Sequence, residues 1–364
     1  MPNLDFYKLF ENIDRILMIL VMLLITIGLV TLSSASLQTT TLILSQVINI
    51  AIGMILLLFL SKVDPKRFLF FAPHLYIFSL VLLLSVIFIG FESHGAKRWI
   101  NILFFNFQPS EIIKITIPMM LAWLYHRFQN TINYKTHMMA FTILVIPCAI
   151  IFNQPDLGTT ILIFLAGSII IFLAGLSLKF IMASIFTFLI ALPYLWSTLH
   201  LYQQNRVLSL FNSERDPLGA GYHSIQSMIA IGSGGVFGKG WTYGTQTQLN
   251  FLPETTTDFI FSVYSEEFGF IGVIGIFIIY FLILYRCIEM AKKMKNSFSR
   301  LITASLVFTL FISSFVNIAM VSGLIPIVGA PLPFISYGGT SMVVSLIMIG
   351  IIMSLYSNKS LIAN

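Results

Sequence analysis

The sequence predicts an all-α integral membrane protein of about ten transmembrane helices, with one large extracytoplasmic loop between the seventh and the eighth. Three observations carry that expectation. The 364 residues are 57% hydrophobic and only 9% charged, with a mean hydropathy of +0.94, whereas an ordinary soluble domain carries roughly a quarter charged residues. Apolar runs of about 20 residues, enough to cross about 30 Å of hydrocarbon at 1.5 Å per residue, recur along the whole chain. One connector, residues 199–259, runs to about sixty residues, far beyond the usual handful between helices.

The expected helices run approximately over 15–35, 42–61, 69–90, 109–126, 138–152, 158–176, 179–198, 260–285, 301–322 and 339–356. The first ends in SSAS and imitates a signal peptide with a cleavage site, but the many spans after it make it a retained helix. The fifth is the shortest. Helices satisfy their own backbone in lipid, so a bundle is favoured over a barrel. The chain is then one polytopic membrane domain over 1–364. Placing the N-terminus inside assigns Lys97, Arg98, Arg206, Arg215 and Lys239 to outer connectors and Lys114 to a span. The rest of the twenty Lys and Arg fall inside, and this positive-inside bias puts segments 1–14 and 357–364 in the cytoplasm and 199–259 outside.

The formal charge of +6 does not indicate nucleic acid, because the basic residues sit in short connectors where orientation explains them. Cys148 and Cys287 fall in apolar segments without CxxC spacing, which implies neither a disulfide framework nor a metal site. In the long loop, GSGGVFGKG has Ser233 where a phosphate loop needs glycine, and Gly240 where it needs a hydroxyl residue. No nucleotide site follows, although such a turn lets Lys239 and backbone amides approach another anion. The connector 322–340, SGLIPIVGAPLPFISYGGT, cannot be one regular helix; at membrane depth its backbone needs protein or a wet cavity around it.

Four stretches hold residues that could carry chemistry. In FQPSEIIK, Pro109 and Ser110 look like a helix start, with Glu111 and Lys114 on one face. Charge in a span must face the bundle interior or an aqueous cleft, so the pair is either a structural ion pair or part of a polar cleft. GAKRWINI supplies Lys97, Arg98 and Trp99, read as an interfacial anchor or as contacts for an anionic phosphate ligand. Asp156 in NQPDLGTT is an ordinary helix cap. In LPETTTDFIF, Asp258 stands where the eighth helix begins, with Glu254 one helical turn earlier. An acid there either complements the helix dipole or, beside cations and shielded from water, serves as a general base or divalent-cation ligand. Glu266 and Glu267, deeper in the same helix, should point into the bundle and be structural.

Together, FLPETTTDFIFSVYSEEFGFIG, NQPDLGT, FQPSEIIK and GAPLPFISYGGTSM resemble the SEDS proteins, the shape, elongation, division and sporulation glycosyltransferases of bacteria, over essentially the whole chain. The loop sequence IQSMIAIGSGGVFGKGW and the final span look like the rod-shape branch, RodA, more than the division branch. The resemblance implies a peptidoglycan glycosyltransferase of the bacterial inner membrane that polymerises lipid II into β-1,4 glycan during cell elongation. It implies Asp258 as the base of an inverting transfer, Arg98 and Lys114 as cations for the leaving pyrophosphate, and Glu111 and Lys114 as polar cleft residues; Trp99, Lys239 and Glu254, read from the residues above, complete the candidate substrate-binding set. It implies a divalent cation, Mg or Mn, with Asp258 as the metal ligand to consider. The partners it implies are a class B penicillin-binding protein and other elongation-complex proteins. Where the family carries His-Thr-Asp, this chain has Thr256, Thr257 and Asp258, so any role of that histidine is absent or filled otherwise. A lipid II flippase and a non-catalytic cell-wall scaffold are the rival readings.

Overall fold

The computed structural model describes residues 12–93, 96–102, 105–176, 178–199, 204–208, 220–249, 251–252 and 254–357. Arg215, the terminal segments 1–11 and 358–364, and parts of the 199–259 connector lie outside the described residues. The chain is mostly helical. Helices α1 (Arg15–Ala35), α2 (Thr40–Leu60) and α3 (Pro65–Ile89) lead to a small sheet of β1 (Phe91–Ser93), β2 (Ala96–Ile102) and β3 (Phe105–Phe107). Then come α4 (Pro109–Arg127), α5 (Tyr134–Asn153), α6 (Leu157–Leu173) and α7 (Leu178–Thr198), followed by α8 (Ala220–Ser233) and α9 (Thr245–Gln248) within the long connector. Helices α10 (Ile260–Lys293), α11 (Ser297–Val321) and α12 (Gly339–Ser357) complete the fold. Among the described residues, seven helices are long and apolar enough to cross a membrane: α1, α2, α3, α5, α10, α11 and α12.

Polar caps move several boundaries outward from the apolar runs. Asp64 accepts from Lys66 N and Pro65 occupies the first turn, so α3 starts earlier than its hydrophobic stretch. Asn133 accepts from Thr136 N and lengthens α5 to 20 residues, correcting the short fifth helix. Asp156 caps α6, as expected.

Two features depart from the all-α, straight-span expectation. The segment read as a connector around Lys97–Trp99 forms an antiparallel sheet in the order β1-β2-β3, pairing Phe91 with Trp99 and Ile100 with Phe107. Its aromatic and β-branched residues suit a pleated surface. The eighth helix is broken: Gly269 has φ 64° and ψ −165° inside α10, so Ile260–Phe268 is not collinear with the stretch beyond it.

Burial separates the helices by neighbour. Helix α4 is buried along most of its length, and α11 and α12 are largely buried as well. Helices α2 and α3 instead leave large apolar side chains such as Ile55, Phe59, Phe70 and Phe88 exposed, as lipid-facing helices do. Helix α2 lies tightly on α12, where a Cβ at Gly350 would come within 2.9 Å of the Leu57 backbone. Small residues permit that approach.

Candidate active site

Residues 254–259 form consecutive turns, and α10 starts only at Ile260. Asp258 therefore stands ahead of the helix, and Glu254 is not one helical turn before it. Glu254 takes φ 47°; its carbonyl accepts from Thr257 N (3.1 Å) and Phe259 N (3.3 Å), and its Oε2 accepts from Thr257 Oγ1 (2.9 Å). In this structure Glu254 ties the turn together while remaining exposed.

Three consecutive carbonyls of that turn are held by distant donors. Thr256 O accepts from Tyr337 N (2.9 Å), Thr257 O from Ser336 Oγ (2.7 Å) and Asp258 O from Asn317 Nδ2 (2.8 Å). Asn317 also donates to Ala330 O (2.6 Å), and Ser336 Oγ accepts from Leu332 N (2.7 Å). The irregular 322–338 backbone is thus locked to the Asp258 turn, which satisfies polar groups that a buried non-helical segment would otherwise orphan. The Asp258 carboxylate lies against Gly329, where an added Cβ would sit 3.3 Å from Oδ2; with φ 72° there, glycine suits both the backbone and the space.

In the same loop, Pro331–Phe334 and Ser336 wall a small cleft. Its polar lining is Glu111, Lys114, Thr309, Ser313, Ser341 and Ser345. Glu111 and Lys114 form a buried ion pair at 2.5 Å, with side-chain exposures of 6% and 7%. This geometry joins the two readings of the pair: it is a close ion pair, and it faces a polar cleft.

Arg98 lies half-buried beside the turn that starts α6. It donates through Nε to Gln154 O (3.4 Å) and through Nη2 to Pro155 O, and its Nε is 3.9 Å from Asp156 Oδ2. Gln108 Nε2 reaches the same carboxylate oxygen at 3.4 Å. Gly158, next along, packs on Val328, whose carbonyl would be 2.5 Å from an added Cβ. The Arg98 cluster thereby abuts the residue preceding Gly329. Trp99 is half-buried in β2.

Lys239 is engaged elsewhere. Its Nζ donates to Glu266 Oε1 (2.6 Å) and Thr245 Oγ1 (2.8 Å). The glycine-rich stretch around it zips onto the break in α10: Phe270 N donates to Gly235 O (2.9 Å), Ile271 N to Val236 O (3.2 Å), Lys239 N to Glu266 O (3.0 Å) and Gly240 N to Glu267 O (3.0 Å). The glycines let two backbones touch. A Cβ on Gly238 would come within 2.1 Å of Glu267 O, and one on Gly269 within 2.2 Å of Gly238 N. The motif therefore supplies hydrogen bonds to the backbone groups that the helix break releases. Glu266 and Glu267 are buried, as expected, and Glu267 Oε1 accepts from Thr242 N (3.1 Å) and Ser34 Oγ.

Asn317, Ser336 and Gly329 were not singled out from the sequence. An asparagine inside the apolar run SSFVNIAM was the available signal for the first, since polar groups in spans seek interior partners.

A family model described as "Cell cycle protein" (FtsW, RodA, SpoVE) matches residues 14–361. The chain is 39% identical over 353 residues to "Peptidoglycan glycosyltransferase MrdB" of Escherichia coli K12, covering 97% of this chain and 95% of that one. It is 34% identical to "Probable peptidoglycan glycosyltransferase FtsW" of Trichlorobacter lovleyi, covering 96% and 94%. Among solved structures, one described as "Structural coordination of polymerization and crosslinking by a peptidoglycan synthase complex" superposes with a TM-score of 0.83 at 26% identity, covering 96% of this chain and 98% of that one. Thermus thermophilus rod shape determining protein RodA superposes with a TM-score of 0.73 at 25% identity, covering 95% and 97%.

Proposed function

From the premise that the chain belongs to the SEDS family of FtsW, RodA and SpoVE, we propose that it is a peptidoglycan glycosyltransferase of the rod-shape branch that polymerises lipid II. The observation that carries the mechanism is a carboxylate on a turn pinned through three successive carbonyls by a loop that also lines a polar cleft with Glu111 and Lys114. A preorganised base of that kind suits a single inverting displacement. The 4-hydroxyl of an acceptor N-acetylglucosamine attacks the anomeric carbon of the donor N-acetylmuramic acid. A C–O bond forms on one face, the bond to the undecaprenyl pyrophosphate breaks on the other, and the leaving oxygen departs with the electron pair. Asp258 takes the hydroxyl proton.

The leaving pyrophosphate needs cationic support. Arg98, held against Gln154–Asp156 with its guanidinium partly exposed, Lys114 on the cleft wall, and Arg206, which donates to Ile327 O (3.3 Å), are candidate cations for it. Lys114 offers a point charge already neutralised by Glu111, so the pair makes the cavity polar rather than simply positive. Trp99, in β2, and Glu254, on the Asp258 turn, are the further side chains we propose to meet substrate.

Among the described residues no group of three or more His, Cys, Asp or Glu side chains gathers in a form that holds a metal ion. The proposed Mg²⁺ or Mn²⁺ ion would therefore rest on the Asp258 carboxylate, with substrate phosphates and water completing its shell. That ion would supply charge neutralisation at the leaving pyrophosphate.

In the membrane we assign ten spans, α1 to α7 and α10 to α12, with both termini cytoplasmic and 199–259 on the outer face of the bacterial inner membrane. Lysine and arginine asymmetry supports this orientation. A class B penicillin-binding protein and other elongation-complex proteins are the proposed partners, which accords with the similarity to a chain from a peptidoglycan synthase complex.

The test is purified protein carrying Asp258→Asn, assayed for glycan polymer from lipid II. Loss of polymerisation by about 10²- to 10⁴-fold with lipid II binding retained is expected for removal of a general base. Wild-type polymerisation by the variant refutes the base assignment. Lipid II movement between vesicle leaflets by the wild type, without polymer, favours a flippase instead.

A further inference from the structure

Lys239 and Glu266 stand apart from the chemistry above, yet they close the segment that carries it. Glu266 is fully buried on the first part of α10, before the break at Gly269. Its Oε1 accepts from Lys239 Nζ (2.6 Å), Thr245 Oγ1 (3.0 Å) and Gln246 N (3.1 Å). The carbonyl of Gln246 accepts in turn from Phe251 N (3.0 Å) and Leu252 N (3.4 Å), the residues that lead into the Glu254–Phe259 turn. One carboxylate oxygen therefore joins both ends of the segment Gln246–Glu266, 20 positions apart in sequence, with Asp258 inside it. Lys239 compensates the buried charge that makes this oxygen a strong acceptor.

We infer that Glu266 is a positioning residue for Asp258 and that Lys239 is the cation which keeps it in place, so that the pair forms a clasp at the base of the catalytic turn. The inference rests on the reading of Asp258 as the base. A closed segment of this length samples fewer arrangements than an open one. Misplacing a reacting group by about 1 Å can cost about 10²-fold in rate. Lys239, the residue the sequence suggested for anion binding, thus acts through Glu266 rather than on substrate.

The experiment uses the full-length protein in nanodiscs with lipid II, comparing wild type, Lys239→Met, Lys239→Arg, Glu266→Gln, the Met/Gln double variant and Asp258→Asn. The expected result is a fall in kcat of about ten-fold or more for Lys239→Met and Glu266→Gln, with KM for lipid II within about two-fold of wild type. The double variant should be no worse than the poorer single one, and Lys239→Arg should recover most of the rate. Amide exchange over 251–259 should accelerate while that of α11 stays unchanged. A raised KM with kcat retained in Lys239→Met, or additive losses in the double variant, overturns the clasp. If Lys239→Met does not fold, Glu266→Gln and Lys239→Arg carry the same comparison. Asp258→Asn separates the two readings: wild-type kcat there refutes the base, whereas an inactive Asp258→Asn beside an unaffected Lys239→Met and Glu266→Gln refutes the clasp alone.

Discussion

Replacing Lys114 with methionine leaves Glu111 buried without its cation. The two charges lie 2.5 Å apart with side-chain exposures of 6% and 7%. At an effective dielectric constant of about 20, Coulomb attraction at that separation is about 7 kcal/mol. Desolvation of both ions takes much of this back, so the net worth of the pair is small, but removing one partner strands the other. The cost of that is about 3–5 kcal/mol, which should lower the midpoint of thermal unfolding by roughly 5–10 °C. Nanodisc-embedded protein, followed by tryptophan fluorescence and by size-exclusion recovery after heating, measures the shift. The double variant Glu111→Leu with Lys114→Met removes both charges and should return to within about 1 kcal/mol of wild type. Polymerisation should be lost in Lys114→Met and in the double variant alike, because the pair also gives the cleft its polarity. Wild-type thermal stability in Lys114→Met would refute the reasoning, since it would mean that cavity water solvates Glu111. Restored polymerisation in the double variant would show the pair to be structural only.

Two further predictions follow from backbone contact and from charge. Gly238→Ala should destabilise by about 2–5 kcal/mol, combining left-handed backbone strain with overpacking against Glu267 O; Gly175→Ala, with φ 99° and nothing within 4 Å, should cost only the backbone part, about 1–2 kcal/mol. Equal losses at the two sites, read by thermal unfolding, would contradict the zipper. At the start of α1, burial would raise the Asp14 pKa, but the Arg286 side chain and the Leu17 amide outweigh it and hold it below the ordinary carboxylate value. A lowered folded-state pKa means stability present above the unfolded value of about 3.9 and lost as pH falls through the folded one. The stability gap between wild type and Asp14→Asn should therefore be full at neutral pH and close in acid below that value; a gap that widens on acidification would count against this assignment.

The membrane character and the dominance of helix were legible because each is written in local pattern. Apolar runs identify the solvent, and Asp156 before LGTT reads as a cap from three neighbouring residues. Asp258 alone reads as a helix-dipole partner; it stands out through Glu254 and the cations assigned to the same outer face, and through the resemblance to the family's aspartate. The sheet around Arg98 escaped, since a short strand between two helices carries little periodicity of its own. The break at Gly269 escaped too: a glycine in an apolar run reads as ordinary helix until the strand of loop that contacts it is known.

Sequence by itself determined what the chain dissolves in, where most of its long helices lie and which carboxylate precedes the eighth, because hydrophobicity and turn chemistry act between near neighbours. Only the tertiary structure decided what each charge does. Asn317 and Ser336 reach the Asp258 turn from 59 and 79 positions away, and Lys239 meets Glu266 across 27. Buried polar groups must find partners wherever packing brings them, and that choice is made by the three-dimensional arrangement of the helices rather than by spacing along the chain.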